Sequence, residues 1–212
     1  MWNDLDPIWQ TAFSEAFLAL QHGSVPISAV ITDENGIIKS IGRNHIFDKS
    51  ADPPQICDSI LAHAEMNALL QLSPKRFQCK NYRIYTTCEP CPMCLSTIYM
   101  AGIRSIHFAC RDPYAGSTNL LGTTPYLQRK PIQVTHFENN DFEKILIAIH
   151  TAYIKKRDGS GQNLVLDQWN EVFKDYVNLG LNEQFFTYLW NNINTSNINE
   201  LYNHLCEISE RI

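Results

Sequence analysis

Leu5, Ile8, Trp9, Ala12, Phe13, Ala16, Phe17 and Leu20 recur at the i, i+3, i+4, i+7 spacing of one helix face, and Gly23 ends the run. The period then changes. Pro26 to Thr32 and Ile37 to Gly42 are rich in β-formers, and Asp33-Glu34-Asn35-Gly36 between them carries the Asn-Gly hairpin signal. Residues 43–58 read as a loop, with Asp52-Pro53-Pro54 as breakers. Beyond it the pattern predicts a helix over Leu61 to Leu72, a strand over Arg83 to Thr86 and a helix over Pro92 to Ala101. Strands follow at Ser105 to Ala109 and Ile132 to Phe137. Phe142, Ile145, Leu146, Ile149, Ala152 and Tyr153 then mark one face of a further helix.

Asp158-Gly159-Ser160-Gly161 reads as a linker. Helical patterns follow around 164–179, 181–190 and 198–208, with an Asn-rich connection over 191–200 and no internal repeat. An initial hairpin followed by alternating helices and strands predicts an α/β protein. The expected form is a three-layer α/β/α sandwich with a mixed five-stranded sheet and a C-terminal helical extension. Residues 1–157 are the expected main domain and 158–212 the extension. A chain of 212 residues suits that division.

Composition narrows the function classes. Hydrophobic residues make up 44% and charged residues 18%, which excludes a disordered or fibrous chain. No apolar run approaches the roughly 18–20 residues of a membrane helix. Met1-Trp2-Asn3-Asp4-Leu5-Asp6 lacks the basic and apolar regions of a signal peptide, so the cytoplasm is the expected location. Net charge is −5 and unevenly spread. Residues 1–140 hold 11 Lys/Arg against 12 Asp/Glu, net −1, and residues 141–212 hold 6 against 10, net −4. Charge therefore gives no support for a nucleic-acid binder. The seven cysteines (57, 79, 88, 91, 94, 110 and 206) are odd in number, which argues against a disulfide framework. Free thiols or metal ligands remain, and positions 57, 79, 110 and 206 read simply as small apolar residues.

The chemistry concentrates in His63-Ala64-Glu65 and Pro90-Cys91-Pro92-Met93-Cys94, each near a predicted helix start. Pro92 suits a first helical position, where its missing N–H would be unpaired anyway. Cys91 and Cys94, three apart, can project to one side. Zinc favours imidazole nitrogen and thiolate sulfur in a tetrahedron, and the positive end of a helix stabilises the thiolate. Three protein ligands leave a fourth position open, the mark of a catalytic site. Glu65, two residues past His63, can stand beside that position without being a ligand and move a proton. A purely structural zinc site with Cys88 as fourth ligand is the alternative. An iron–sulfur reading is weaker, because no fourth cysteine is obviously placed.

H-x-E followed by P-C-x-x-C is the signature of zinc nucleobase deaminases. From about residue 5 to 155 the chain resembles the cytidine deaminase-like superfamily. Thr87-Cys88-Glu89-Pro90-Cys91-Pro92-Met93-Cys94 and Val25 to Val30, followed by Gly42-Arg43-Asn44, resemble its tRNA adenosine deaminase and guanine deaminase branch. Phe108-Ala109-Cys110-Arg111-Asp112-Pro113 is similar to tRNA adenosine deaminases, and Leu95 to Ala101 to guanine deaminases. Residues 45–60 are longer than in compact tRNA adenosine deaminases, and Ser28 replaces a usual Gly. The helices past 160 match nothing in the branch.

The resemblance implies one zinc per chain on His63, Cys91 and Cys94, with Glu65 as the catalytic acid and base. It also implies substrate contacts from Asn44, the backbone at Ala64 and Asp112, and a homodimer. The expected reaction is hydrolytic deamination of a nucleobase or nucleoside. A small purine is favoured over tRNA because both parts of the chain are net acidic and the only tight basic cluster is Lys155-Lys156-Arg157, whereas phosphate binding relies on Lys and Arg. A tRNA-specific adenosine deaminase is the alternative. The competing class is a non-catalytic, zinc-stabilised binding module.

Overall fold

The computed structural model describes residues 1–72, 79–159 and 163–212. Helix α1 spans Pro7–Gln21. It starts two residues after its apolar pattern, because the Asp6 carboxylate caps the Ile8 N–H at 2.8 Å and Pro7 takes the first turn. Strands β1 (Ser28–Thr32) and β2 (Ile38–Arg43) form the expected hairpin. Then come α2 (Ala64–Gln71), β3 (Arg83–Cys88), α3 (Pro92–Ala101) and β4 (Ser105–Cys110). A short helix that the periodicity did not predict, α4 (Pro125–Gln128), precedes β5 (Gln133–His136). Its local signal is Thr124-Pro125: the threonine hydroxyl caps Leu127 N–H and proline takes the first helical position.

The strand order is β2-β1-β3-β4-β5. β1 is antiparallel to β2 and β3, and β3, β4 and β5 run parallel. This is the mixed five-stranded sheet of an α/β/α sandwich. The alternation of β1 divides its layers: Val30 points into the core beneath α1, while Ala29 and Ile31 join Ala64, Ala68, Leu95 and Ile98 of α2 and α3. Cys88 and Cys110 lie level at the carboxyl ends of parallel β3 and β4. The loops that leave there, 89–91 and 111–117, open at the same carboxyl end of the sheet, where ligands bind in open α/β sheets.

Helix α5 (Asn140–Asp158) covers the α1 face of the sheet. It runs one residue into the expected linker; Gly159 caps it, and Ser160 and Gly161 lie outside the described residues. The extension forms α6 (Leu164–Val172), α7 (Lys174–Leu181), α8 (Glu183–Asn191) and α9 (Ile198–Arg211). The single pattern over 164–179 is therefore two helices. Phe173 leaves the helical region at their junction (ψ 41°) and buries its ring under the Arg111 guanidinium, 4.8 Å from the ring centre. Trp169, Phe173 and Phe185 are buried, in keeping with aromatics that serve helix packing. None of the described helices is long and apolar enough to cross a membrane.

α5 is buried on nearly every side: Ile145, Leu146, Ile147, Ala148, Ile149, Thr151, Ala152, Tyr153 and Ile154 are all covered. One face meets the sheet, and the other meets α7 and α9. Gly180 makes the α5–α7 contact possible. A Cβ there would lie 2.4 Å from the Ala148 carbonyl oxygen and 2.6 Å from Thr151 Cβ. Gly180→Ala is therefore expected to push the helices apart and destabilise the chain by about 1–3 kcal/mol. A urea titration checks this, and an unchanged midpoint would remove the close-contact account.

Candidate metal centre

The helix over 61–72 in fact begins at Ala64, and its N-cap is His63 in extended backbone (φ −72°, ψ 157°). Cys91 caps α3 in the same way (φ −68°, ψ 171°), with Pro92 behind it in the first turn. Each cap carbonyl accepts the first intrahelical hydrogen bond, from Asn67 N–H (3.0 Å) and Leu95 N–H (2.9 Å). The two side chains are thereby aimed off the positive ends of two helices. Cys94, one turn into α3, joins them. His63 Nδ1 lies 3.5 Å from Cys94 Sγ and 3.7 Å from Cys91 Sγ.

These three are the one group among the described residues whose His, Cys and carboxylate donor atoms converge for a metal ion. The donor set fits zinc. Bond lengths of about 2.0 Å to nitrogen and about 2.3 Å to sulfur in a tetrahedron separate N from S by roughly 3.5 Å. Cys94 and Glu65 are buried, and His63 and Cys91 are partly open to solvent.

Electrostatics follows the geometry. The Cys91 thiol is pulled down to about 4, chiefly by a hydrogen bond from Cys94 and further by His63. Cys94, the donor in that pair and buried, is pushed up. His63 is raised by its hydrogen bond to Cys91. Glu65 is raised by burial; its carboxyl faces the Cys94 thiol but is not part of the converging group.

Cys88 stands apart from this centre. It ends β3 on the α1 side of the sheet, paired with Cys110, whose thiol donates to the Thr87 carbonyl at 3.0 Å. The neighbouring Cys110 raises the Cys88 thiol well above its ordinary value. The regular Cys88, Cys91, Cys94 spacing is thus broken by the change from strand to helix between them.

Asn44 is buried behind β2. Its N–H donates to Ile27 O (2.9 Å) and its Oδ1 accepts from Ile46 N–H (3.1 Å). The next residue, His45, donates its N–H to Ala62 O (2.9 Å), which ties this segment to the residue before His63. Ala64 is buried at the start of α2. Asp112, half-buried, accepts on Oδ1 from Tyr114 N–H (2.9 Å), Ala115 N–H (3.1 Å) and the indole of Trp169 (2.8 Å).

Supporting residues complete the frame. Gly42 lets β2 lie directly on α2: a Cβ there would sit 2.3 Å from Ala64 O and Ala68 N. The Asn67 amide bridges α2 to Arg43 O (3.2 Å) and to both backbone groups of Ile56. Buried Asp48 accepts from Arg43 (2.6 Å) and Ser24 (2.7 Å), so the 44–62 loop folds against the strands. Glu89 grips the 111–118 loop through Thr118. Of these, Gly42 and Glu89 stand within the recognisable motifs, while Asn67, Asp48 and Trp169 carry no local signal.

The description "Cytidine and deoxycytidylate deaminase zinc-binding region" belongs to the family whose pattern matches residues 4–110. Guanine deaminase of Bacillus subtilis is 36% identical over 86 residues, covering 40% of this chain and 49% of that protein. Cytosine deaminase of Candida albicans is 27% identical over 165 residues, covering 76% and 91%. This chain thus spans about half the length of the first relative and most of the second. A solved chain from studies of A-to-I editing by tRNA:A34 deaminases at the wobble position is 25% identical, with a TM-score of 0.52. That match covers 61% of this chain and 96% of the other.

One ion pair secures the loop that clasps this centre. Arg111 binds buried Glu143 of α5 through two nitrogens, each at 2.9 Å, and Arg111 N–H and His136 Nε2 also face that carboxylate. Burial works to raise Glu143, but the Arg111 hydrogen bonds outweigh it and hold the carboxyl below its usual range. Its stabilisation is complete above the unfolded value of about 4.3 and is lost as pH falls through the folded value. Glu143→Gln is expected to be less stable than the parent at neutral pH, with the gap closing on acidification. Urea midpoints over a pH series check this; a gap that ignores pH would assign the loss to packing.

Proposed function

The chain belongs to the cytidine and deoxycytidylate deaminase zinc-binding family. On that premise we propose that it is a hydrolytic deaminase, converting the exocyclic amine of a free purine base or nucleoside to a carbonyl and releasing ammonia. The observation that carries the reading is the convergence of His63, Cys91 and Cys94 with a buried carboxylate, Glu65, that is not itself in the donor group. His63, Cys91 and Cys94 would hold zinc, which when bound would supply Lewis acidity and a water of lowered pKa, about 7. Glu65 accepts one proton from the attacking water and passes it to a ring nitrogen of the base, then takes the second from the added hydroxyl and delivers it to the departing amine. The balance is base–NH2 plus water giving base=O plus ammonia.

Asn44 offers its amide N–H to the base, since its Oδ1 already serves Ile46. The first turn of α2 at Ala64 offers a backbone N–H. Asp112 holds the loop with Oδ1, and its Oδ2, which accepts from the Cys88 thiol at 4.0 Å, is the oxygen that would meet a ligand. A homodimer is part of the proposal. Ile60 and Leu61 before α2 and Met100 near the end of α3 are exposed apolar side chains that a partner would cover.

A second reading, adenosine in tRNA, draws on the near-complete coverage of the tRNA:A34 deaminase chain. Against it stands net −4 over residues 141–212, a poor match for phosphates, whose binding depends on Lys and Arg.

About one zinc per chain is expected by elemental analysis, and Cys91→Ala or Cys94→Ala should lose it. Glu65→Ala should keep zinc but lose turnover by about 10²–10⁴-fold per proton transfer removed; near-normal turnover would exclude Glu65 as the proton carrier. A parallel ammonia-release assay on bases, nucleosides and an anticodon stem-loop at two salt concentrations separates the readings. Activity on the stem-loop alone, collapsing at higher salt, would establish the tRNA enzyme, and no ammonia from any substrate would leave a binding module.

A further inference from the structure

The two residues before Cys91 are held from outside their own helix. Glu89 N–H donates to Cys110 O (2.8 Å), and Pro90 O accepts from Ser117 N–H (3.0 Å). The Glu89 carboxylate accepts from Thr118 on Oε1 and faces Asp112 N–H (3.4 Å) with Oε2. The 111–118 loop thus clasps the approach to Cys91, and the carboxylate of Asp112 shapes that loop. Its Oδ1 gathers the N–H groups of Tyr114 and Ala115 together with the Trp169 indole N–H at 2.8 Å.

Trp169 comes from α6 in the extension, 57 positions along the chain. It is 1% exposed, and His150 of α5 packs edge-on against its ring at 4.9 Å, which fixes the indole plane. A buried indole N–H needs an acceptor, and a carboxylate makes a stronger one than a neutral oxygen.

We infer that Trp169 is a positioning residue for the metal centre. Through Asp112 and the Glu89 clasp, its indole N–H sets where Cys91 stands relative to His63 and Cys94. The inference rests on the reading that those three residues hold zinc. The extension is therefore part of the site's support and not only a cover for α5. Groups that orient metal ligands from outside the coordination shell typically affect metal affinity about 10–100-fold when removed. Trp169 acts one loop further out, so an effect of roughly tenfold is expected, at the lower end of that range.

The test uses the zinc-loaded full chain and measures zinc release to a chromogenic chelator well below the melting temperature, together with the visible spectrum of the cobalt-substituted protein. Trp169→Phe, which deletes the donor, and Asp112→Ala, which deletes the acceptor, should each release zinc roughly tenfold faster and shift the cobalt bands. The double variant should be no faster than Asp112→Ala, because the two residues share one path. Asp112→Asn, which keeps an acceptor oxygen, should restore slow release. Leu189→Ala, a truncation in the buried part of α8, should lower the melting temperature and leave release at the parental rate. Equal release from Trp169→Phe and the parent would overturn the inference and leave the zinc reading intact, as would equal acceleration by Leu189→Ala. A parent chain that takes up no zinc would overturn both.

Discussion

Separations of 3.5 and 3.7 Å between one imidazole nitrogen and two sulfurs have to be held by backbone belonging to two different helices. Neither helix can supply that spacing alone. Each contributes its first residue as a cap and its dipole as a field that favours anionic sulfur. The sheet does the rest: β2 seats α2 through the bare backbone of Gly42, and β3 leads through Glu89 and Pro90 into α3. Misplacement of either helix start by an ångström would break the donor triangle. This is why so many polar groups that never touch the centre, among them Asn67, Asp48 and Glu89, are bonded to the segments leading into it.

The reaction proposed for this centre needs little more than those donors and one buried carboxylate, so the substrate must be chosen elsewhere. Three segments frame the centre: Asn44 just after β2, the long 44–62 loop folded onto Asn67, and the 111–118 loop gripped by Glu89 and Glu143. Relatives of this chain are named for guanine, cytosine and tRNA adenosine, so the family resemblance does not by itself select one base.

What could be read from sequence was what short spacing encodes. His63, Glu65, Cys91 and Cys94 lie close to helix starts that proline and periodicity announce, and the five strands follow from local pattern. The apolar rhythm places the start of α2 three residues before Ala64, because Leu61 and Ala62 continue it while the backbone has not yet turned helical. Cys88 illustrates a different limit. Its equal spacing to Cys91 suggested a shared role, yet it ends a strand and faces the other layer. The Trp169–Asp112 bond had no signature at all, because 57 residues separate its ends and a tryptophan in an amphipathic helix looks like ordinary packing.

α5 carries a consequence for how such a chain can change over time. In a three-layer sandwich the outer helices are half wet and half dry, but Ile145 to Ile149 leave this one no wet side. Its outward residues are now written in the vocabulary of an interior. A lineage that shed the later helices would expose them all at once, and no single substitution could make that surface soluble again. The more apolar the far side of α5, the more changes a chain would need to live without its cover.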